Sequence, residues 1–155
     1  MKSSEPLGHV ALPGDAASVP QARRYVRGLL EPTDHPRTDD ALLLVTELVS
    51  NAVRHSDSGR RPGGKITVIV VHRARSILVN VIDDGSAGSI PRVRRDVDAD
   101  SGGGRGLWLV RELATAWGWH DSPAGRVVWF QMAEEAPEHP VLATSGGLST
   151  GVRGR

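Results

Sequence analysis

The sequence contains no cysteine and only one phenylalanine and one tyrosine. Without thiols the chain can form neither disulfide bonds nor a thiolate metal site, which argues against a secreted fold that depends on disulfides. It also lacks any run of about 18 apolar residues, the length that spans a membrane, and its N-terminal stretch to Pro13 lacks the apolar segment of a signal peptide. These absences predict a soluble, cytoplasmic protein that does not contact a membrane.

An excess of charge of either sign is also missing, since 19 Lys and Arg nearly balance 18 Asp and Glu. Arginines cluster from Arg23 to Arg27 and from Arg92 to Arg95, but acids from Asp96 to Asp100 follow the second cluster. Proteins that bind nucleic acids usually carry a larger basic excess, or aromatic residues among their Arg and Lys. We therefore expect no direct contact with nucleic acid.

What the chain does contain fits a single domain, because 155 residues with 18 Gly and 10 Pro suffice for one core and sizeable loops. Beyond Ala133 the sequence is mostly polar residues, Gly and Pro, which cannot bury enough apolar surface to become ordered. The predicted organisation is one domain over residues 1–135 and a disordered tail over residues 136–155.

The first part of the chain predicts one strand and two helices. His9 to Leu12 is apolar enough for an edge strand, and a helix is expected to run through Tyr25 to Leu30. A second helix from about Asp40 to His55, capped by Thr38 or Asp39, carries a wide apolar surface typical of a helix that packs on a sheet.

Three further strands are predicted from β-branched composition and turn residues. Lys65 to His72 and Ser76 to Ile82 are separated by a hairpin turn at Ala74, and both are apolar enough for the centre of a sheet. A last strand, Arg126 to Met132, follows a turn at Pro123 to Gly125.

Between these strands the sequence predicts a long loop and then a helix. No periodicity survives from Asp84 to Gly103, and a loop of that length in a compact domain is usually functional or disordered. Near-helical spacing of apolar residues predicts a helix from Gly106 to Trp117, with Gly118 as its C-cap.

The first group of candidate functional residues lies on the second helix, where Glu47, Asn51 and His55 recur every four residues and so share one side. The amide oxygen of Asn51 suits Mg²⁺, and the carboxylate of Glu47 can orient or deprotonate a hydroxyl or a water. The alternative interpretation is a solvated stripe on an amphipathic helix.

The second group is Asp83-Asp84-Gly85, at the end of a strand. An acid in this place can accept a hydrogen bond from a ligand's exocyclic amine, and the glycine lets the backbone turn beside a flat ring. An ordinary Asp-Gly turn is the alternative.

The third group is glycine-rich and precedes a predicted helix, where backbone N–H groups can bind phosphates. Since a flexible linker would look similar, this motif alone is weak. Its residues are Gly102, Gly103, Gly104, Arg105, Gly106 and Leu107.

The order and spacing of the three groups resemble the GHKL (Bergerat-fold) ATPases, and among these the stand-alone anti-sigma-factor serine kinases of actinobacterial type. Glu47 to His55 is similar to the N box, Asp83 to Gly85 to the G1 box, and Gly102 to Leu107 to the G2 box. The resemblance covers roughly His9 to Met132. It implies an α+β fold: a two-layer α/β sandwich with helices on one face of a mixed, mostly antiparallel sheet.

The resemblance also implies ATP and Mg²⁺ as ligands and a role for each motif. Glu47 would be the general base, Asn51 the Mg²⁺ ligand, Asp83 the acceptor for the adenine amine, and Gly85 a wall of the adenine pocket. The G2 box would hold the phosphates through Gly102, Gly104 and Gly106, with Arg105 adding charge and Leu107 completing the motif, under a lid over residues 86–101.

One position departs from the resemblance. Relatives often have Gly, a basic residue and Thr at the start of the last strand, where the Thr hydroxyl helps to hold adenine, whereas this chain has Gly125-Arg126-Val127. Since Val127 has no polar group, we expect the loss of one contact to adenine, worth about 1 kcal/mol.

Four functions stay open at this point. The leading hypothesis is a serine/threonine protein kinase with anti-sigma activity, whose partners are a sigma factor and an anti-sigma antagonist. The others are a non-catalytic switch that binds a partner when ATP is bound, a simple ATPase, and an interaction domain with decayed motifs. The sequence does not show whether the protein forms a homodimer.

Overall fold

The protein was analysed as a computed structural model, which describes residues 6–59, 62–85 and 109–135. Within these residues, five strands form one sheet in the order β1-β2-β3-β5-β4, and all four pairings are antiparallel. The resemblance implied a mixed sheet of mostly antiparallel pairs. The strands are β1 (Pro6–Pro13), β2 (Lys65–Arg73), β3 (Ser76–Asp83), β4 (Ala116–Ser122) and β5 (Gly125–Met132).

The helices are α1 (Ser18–Leu30) and α2 (Thr38–His55), and residues 109–113 are also helical. Two short 3₁₀ helices, Glu31–Thr33 and Asp57–Gly59, follow α1 and α2. Within the three described ranges, no helix is long and apolar enough to cross a membrane.

The core lies between the helices and one face of the sheet. Along β3 every second side chain is buried, namely Ile77, Val79, Val81 and Asp83, as expected for a strand with one covered face. Helix α1 packs on α2, and α2 packs on β3. The result is the predicted two-layer α+β arrangement.

Most of the predicted elements are confirmed, with ends that differ by a few residues. β1 is an edge strand, β3 is the central strand, and β2 lies between the two. Ala74 adopts a positive φ of 56° in the β2–β3 turn. The predicted lid, the G2 box and the C-terminal tail lie outside the described residues.

The helix predicted from Gly106 to Trp117 is wrong at its C-terminal end, because Trp117 and Gly118 belong to β4. The amide of Ala114 still donates to the Val110 carbonyl at 2.9 Å, whereas the next amide, that of Thr115, donates across to Gln131 of β5 at 2.8 Å. The chain therefore leaves the helix within one residue. The apolar spacing continued past this point because Trp117 is buried in the sheet, with 1% of its surface exposed.

The predicted caps of α2 are also wrong. Arg37 precedes the helix, and no side chain makes a capping hydrogen bond there. The Thr38 hydroxyl instead donates backwards to the His35 carbonyl at 2.8 Å. Asp39 and Asp40 stand in the first turn, where their charge favours the helix N-terminus without a cap.

Candidate nucleotide-binding site

Glu47 and Asn51 lie one turn apart on α2, at the border of its buried stripe. Both are half-buried, while their neighbours Leu48 and Ala52 belong to the core. His55 is exposed in the last turn of the helix. The helix confirms the shared side that the sequence predicts, and the intermediate burial of Glu47 and Asn51 leaves part of each residue accessible.

The oxygen atoms that this helix offers fit a Mg²⁺ ion that is coordinated mainly by the phosphates of a bound nucleotide and by water. Within the described ranges, no group of three or more His, Cys, Asp or Glu residues could form a metal site by itself. Mg²⁺ in phosphate-transfer sites usually takes only one or two protein oxygens, and phosphates and water supply the others. Asn51, which is half-buried, offers one such oxygen.

A backbone hydrogen bond joins the end of α2 to the Asp-Asp-Gly turn. The amide of Asp57, two residues after the helix, donates to the Gly85 carbonyl at 2.8 Å. Gly85 has a φ of 71°, which glycine adopts without steric cost, so the chain turns sharply as β3 ends. Two motifs that lie 28 residues apart along the chain therefore meet at one end of the sheet.

Asp83 is the last residue of β3, and only 7% of its surface is exposed. Its Oδ1 accepts a hydrogen bond from the Gly85 amide at 2.6 Å, which fixes the carboxylate at the turn. Burial raises the pKa of Asp83 to about 6, although the Gly85 amide and the nearby Arg126 cation oppose the rise. A buried, pre-oriented carboxylate with acceptor capacity to spare suits recognition of an amine.

Sequence reasoning missed the cationic side chain next to this carboxylate. In the strand register, Arg126 of β5 stands opposite Asp83 of β3 and opposite Asp121 of β4. Its Nε donates to Asp121 Oδ1 at 3.0 Å, and its guanidinium carbon lies 4.9 Å from the ring centroid of Trp119. The sequence shows the arginine, but its position between Asp83 and Asp121 depends on how β3, β5 and β4 pair, and β4 was not predicted. We call these three directly opposed residues a cross-strand row.

The register also corrects the interpretation of Val127. Val127 pairs with Ile82 and with His120, whereas Asp83 belongs to the neighbouring row that contains Arg126. Because successive residues of a strand point to opposite faces, the Val127 side chain lies on the face away from Asp83. A side chain at position 127 therefore does not face the candidate adenine site, and the absence of a hydroxyl there does not remove a contact to adenine.

The described part of the site thus brings together the end of α2, Asp83, Gly85 and, unexpectedly, Arg126. The remaining predicted residues fall outside the described ranges, and the roles of all the predicted site residues stay predictions. They are Gly102, Gly104, Arg105, Gly106 and Leu107.

Comparison with known proteins identifies a family and a relative. The family model of the histidine kinase-like ATPase domain matches residues 12–132. The chain is also 33% identical over 117 residues to the sensor histidine kinase PdtaS of Mycolicibacterium smegmatis. That similarity covers 72% of this chain but 22% of the relative, so the chain corresponds to about a fifth of the relative's length.

Proposed function

Since the chain belongs to the histidine kinase-like ATPase domain family, we propose that it is an ATP- and Mg²⁺-dependent regulatory protein that phosphorylates a serine or threonine of a protein partner. ATP binding follows from the family. The acceptor, the metal and the cytoplasmic location are the proposed part. The domain that performs this function would cover residues 1–135, with residues 136–155 as its tail.

The observation that carries the proposal is the buried Asp83 at the end of β3. Its carboxylate keeps one oxygen on the Gly85 amide and has lone pairs left for a ligand. The Gly85 amide and the Arg126 cation offset only part of the cost of burying this carboxylate, since its pKa is still raised to about 6, and this makes a structural role a poor explanation for the residue. The exocyclic amine of adenine would supply the missing donor.

Glu47 and Asn51 supply the groups that phosphoryl transfer needs. Mg²⁺ bound with ATP would neutralise charge on the phosphates, and Asn51 would be its protein ligand. Glu47 would accept the proton of the attacking Ser or Thr hydroxyl, whose oxygen bonds to the γ-phosphorus as the bond to the bridging oxygen of ADP breaks. The G2 box, Gly102 to Leu107 with Arg105, would hold the phosphates.

The proposed partners are a sigma factor and its anti-sigma antagonist, by the resemblance to small anti-sigma kinases. PdtaS is a sensor histidine kinase, of which the alignment with this chain covers 22%. That relative does not identify an acceptor for this chain. Two rival functions make different predictions: a non-catalytic switch binds its partner whenever ATP is bound, and a simple ATPase releases phosphate without a partner.

Calorimetric titration of Mg-ATP tests the site directly. We expect measurable binding to the unmodified protein, an affinity about 10- to 100-fold lower in Asp83→Asn, and loss of only the Mg²⁺-dependent part in Asn51→Ala. Asn80→Ala is the matched control, since Asn80 lies on the opposite face of β3 from Asp83 and is half-buried like Asn51. Absence of ATP binding to the unmodified protein would overturn the proposal.

Glu47→Gln then separates the three functions. Labelled phosphate from γ-labelled ATP should appear on a candidate antagonist with the unmodified protein and disappear with Glu47→Gln. If Glu47→Gln leaves ATP-dependent partner binding intact and no transfer occurs with either protein, the switch is correct. Phosphate release that needs no partner and is lost in Glu47→Gln would identify an ATPase.

A further inference from the structure

A cationic side chain occupies the same cross-strand row as Asp83. In this row Arg126 stands between Asp83 and Asp121, on neighbouring strands of an antiparallel sheet. Directly opposed residues have Cβ atoms about 5 Å apart and point to the same face. Arg126 also borders Gly85, where an added Cβ would lie 3.6 Å from the Arg126 Cβ. The arginine therefore lines the turn that carries the candidate adenine acceptor.

The Arg126 side chain is held on two further sides. The Nε of Arg126 donates to Asp121 Oδ1 at 3.0 Å. The guanidinium carbon of Arg126 lies over the Trp119 ring, 4.9 Å from its centroid. Only 13% of the arginine side chain is exposed, whereas 65% of the Asp121 side chain is. A cation fixed in this way before any ligand arrives loses little conformational freedom on binding.

We propose that Arg126 is a positioning residue of the nucleotide pocket, which holds the Asp83 carboxylate in place and charged so that the pocket accepts adenine and rejects guanine. The inference rests on the proposed binding of ATP at Asp83. Adenine presents an amine where guanine presents a carbonyl oxygen, so a carboxylate attracts the first and repels the second. Arg126 acts through Asp83 and need not contact the nucleotide.

The charges around Asp83 explain why such a residue is needed. Burial is the largest influence and raises the pKa of Asp83, and the neighbouring carboxylates of Asp84 and Asp121 raise it further. The Gly85 amide and the Arg126 cation act in the opposite direction. From the helical layer, Asp57 approaches the same turn through its backbone bond to Gly85. Arg126 is the cation that stabilises the carboxylate within this largely acidic group.

The test measures ATP and GTP affinity between pH 5.5 and 8.5 for the unmodified protein and Arg126→Gln. ATP binding to the unmodified protein should weaken below about pH 6, where Asp83 gains a proton. In Arg126→Gln this midpoint should move up by about one pH unit, a typical effect of one nearby charge. Affinity for ATP should then fall about fivefold at pH 6 and less than about twofold at pH 8.5, and the preference for ATP over GTP should shrink at the lower pH.

Two further variants identify the cause. Arg126→Lys keeps the charge, so the midpoint of its pH profile should move by less than half as much as that of Arg126→Gln. Arg75→Gln makes the same chemical change in the exposed β2–β3 turn, about 25 Å along β3 from Asp83, and should reproduce the unmodified profile. If thermal melting shows that Arg126→Gln does not fold, Arg126→Met, which retains packing on Trp119, replaces it.

The inference is overturned if the arginine variant leaves the pH profile unchanged, or if it weakens ATP binding by the same factor at every pH, as a purely structural role would. The underlying site is judged separately. Absence of ATP binding to the unmodified protein would overturn the proposed function itself, and normal ATP affinity in Asp83→Asn would overturn the placement of adenine at Asp83 and with it this inference. Weakened binding in Asp83→Asn with a normal profile in Arg126→Gln would overturn only the role of Arg126.

Discussion

Two buried ionisable side chains stand at opposite ends of β3, and their surroundings differ. His35 is 5% exposed and packs near the β2–β3 turn, where both ring nitrogens are used: Nε2 donates to the Arg75 carbonyl at 3.0 Å and Nδ1 accepts from the Arg37 amide at 3.1 Å. Asp83, at the other end, is 7% exposed and, among the described residues, accepts one hydrogen bond, from Gly85. A buried group whose bonds are complete stabilises the fold, whereas a buried group with lone pairs left is available to a ligand.

If this contrast is correct, removing His35 should have the largest effect on stability and none on ligand binding. We expect His35→Ala to lower the free energy of unfolding by about 3 kcal/mol, because it leaves a cavity and orphans two backbone groups. Urea denaturation measures the change. His9→Ala, at an exposed position of β1, is the matched control and should cost less than about 0.5 kcal/mol.

The ATP affinity of the His35→Ala variant tests the other half of the contrast, namely that His35 takes no part in ligand binding. Where enough folded protein remains, its ATP affinity should equal that of the unmodified protein. If the His35→Ala protein is fully folded but does not bind ATP, the end of the sheet that carries the β2–β3 turn also takes part in the site.

Asp83→Asn should have the largest effect on ligand binding. The substitution keeps the shape but exchanges a charged acceptor for an amide, and a hydrogen bond to a charged group is worth about 1.5–3 kcal/mol. We expect ATP affinity to fall about 10- to 100-fold at pH 8, measured by calorimetry. A fall of less than about twofold would mean that this carboxylate does not contact the nucleotide.

The same substitution should stabilise the ligand-free protein, which is the opposite of the His35 result. Since the pKa of Asp83 rises from 3.8 to about 6 on folding, the native state binds more protons in this window, and the contribution of Asp83 to stability is lost as pH rises through it. The two proteins should be about equally stable near pH 4, and Asp83→Asn should be more stable by about 2 kcal/mol at pH 8.

Urea titrations at both pH values, without nucleotide, measure this difference. Asp34→Asn, the same chemical change at an exposed position away from β3, is the control and should leave the stability difference between the two pH values as it is in the unmodified protein. Equal stability of the Asp83→Asn and unmodified proteins at pH 8 would contradict a costly buried carboxylate.

Short-range patterns in the sequence predicted most of the helices and strands, and they also indicated the site residues that lie on α2 and at the end of β3. The period of α2 placed Glu47 and Asn51 on one side, and the abrupt end of β3 marked Asp83 and Gly85, because both signals lie within a few residues. The row that contains Arg126 depends on pairing between distant segments, which no local spacing encodes. The missed strand β4 has the same cause: Trp117 fits an apolar helical pattern until its pairing with Phe130 is known.

Val127→Thr is the smallest expected effect, and it tests the face assignment on which the comparison depends. The substitution supplies the hydroxyl that relatives often carry, but Val127 pairs with Ile82 and His120 rather than with the row of Asp83. We expect ATP affinity to change less than about twofold and the free energy of unfolding to fall by about 1 kcal/mol, since only 6% of Val127 is exposed and a hydroxyl would be buried. Val127→Ala is the control for lost packing. A gain of about fivefold or more in ATP affinity with Thr but not with Ala would mean that this side chain reaches the adenine, and that β5 presents Val127 rather than Arg126 to the pocket.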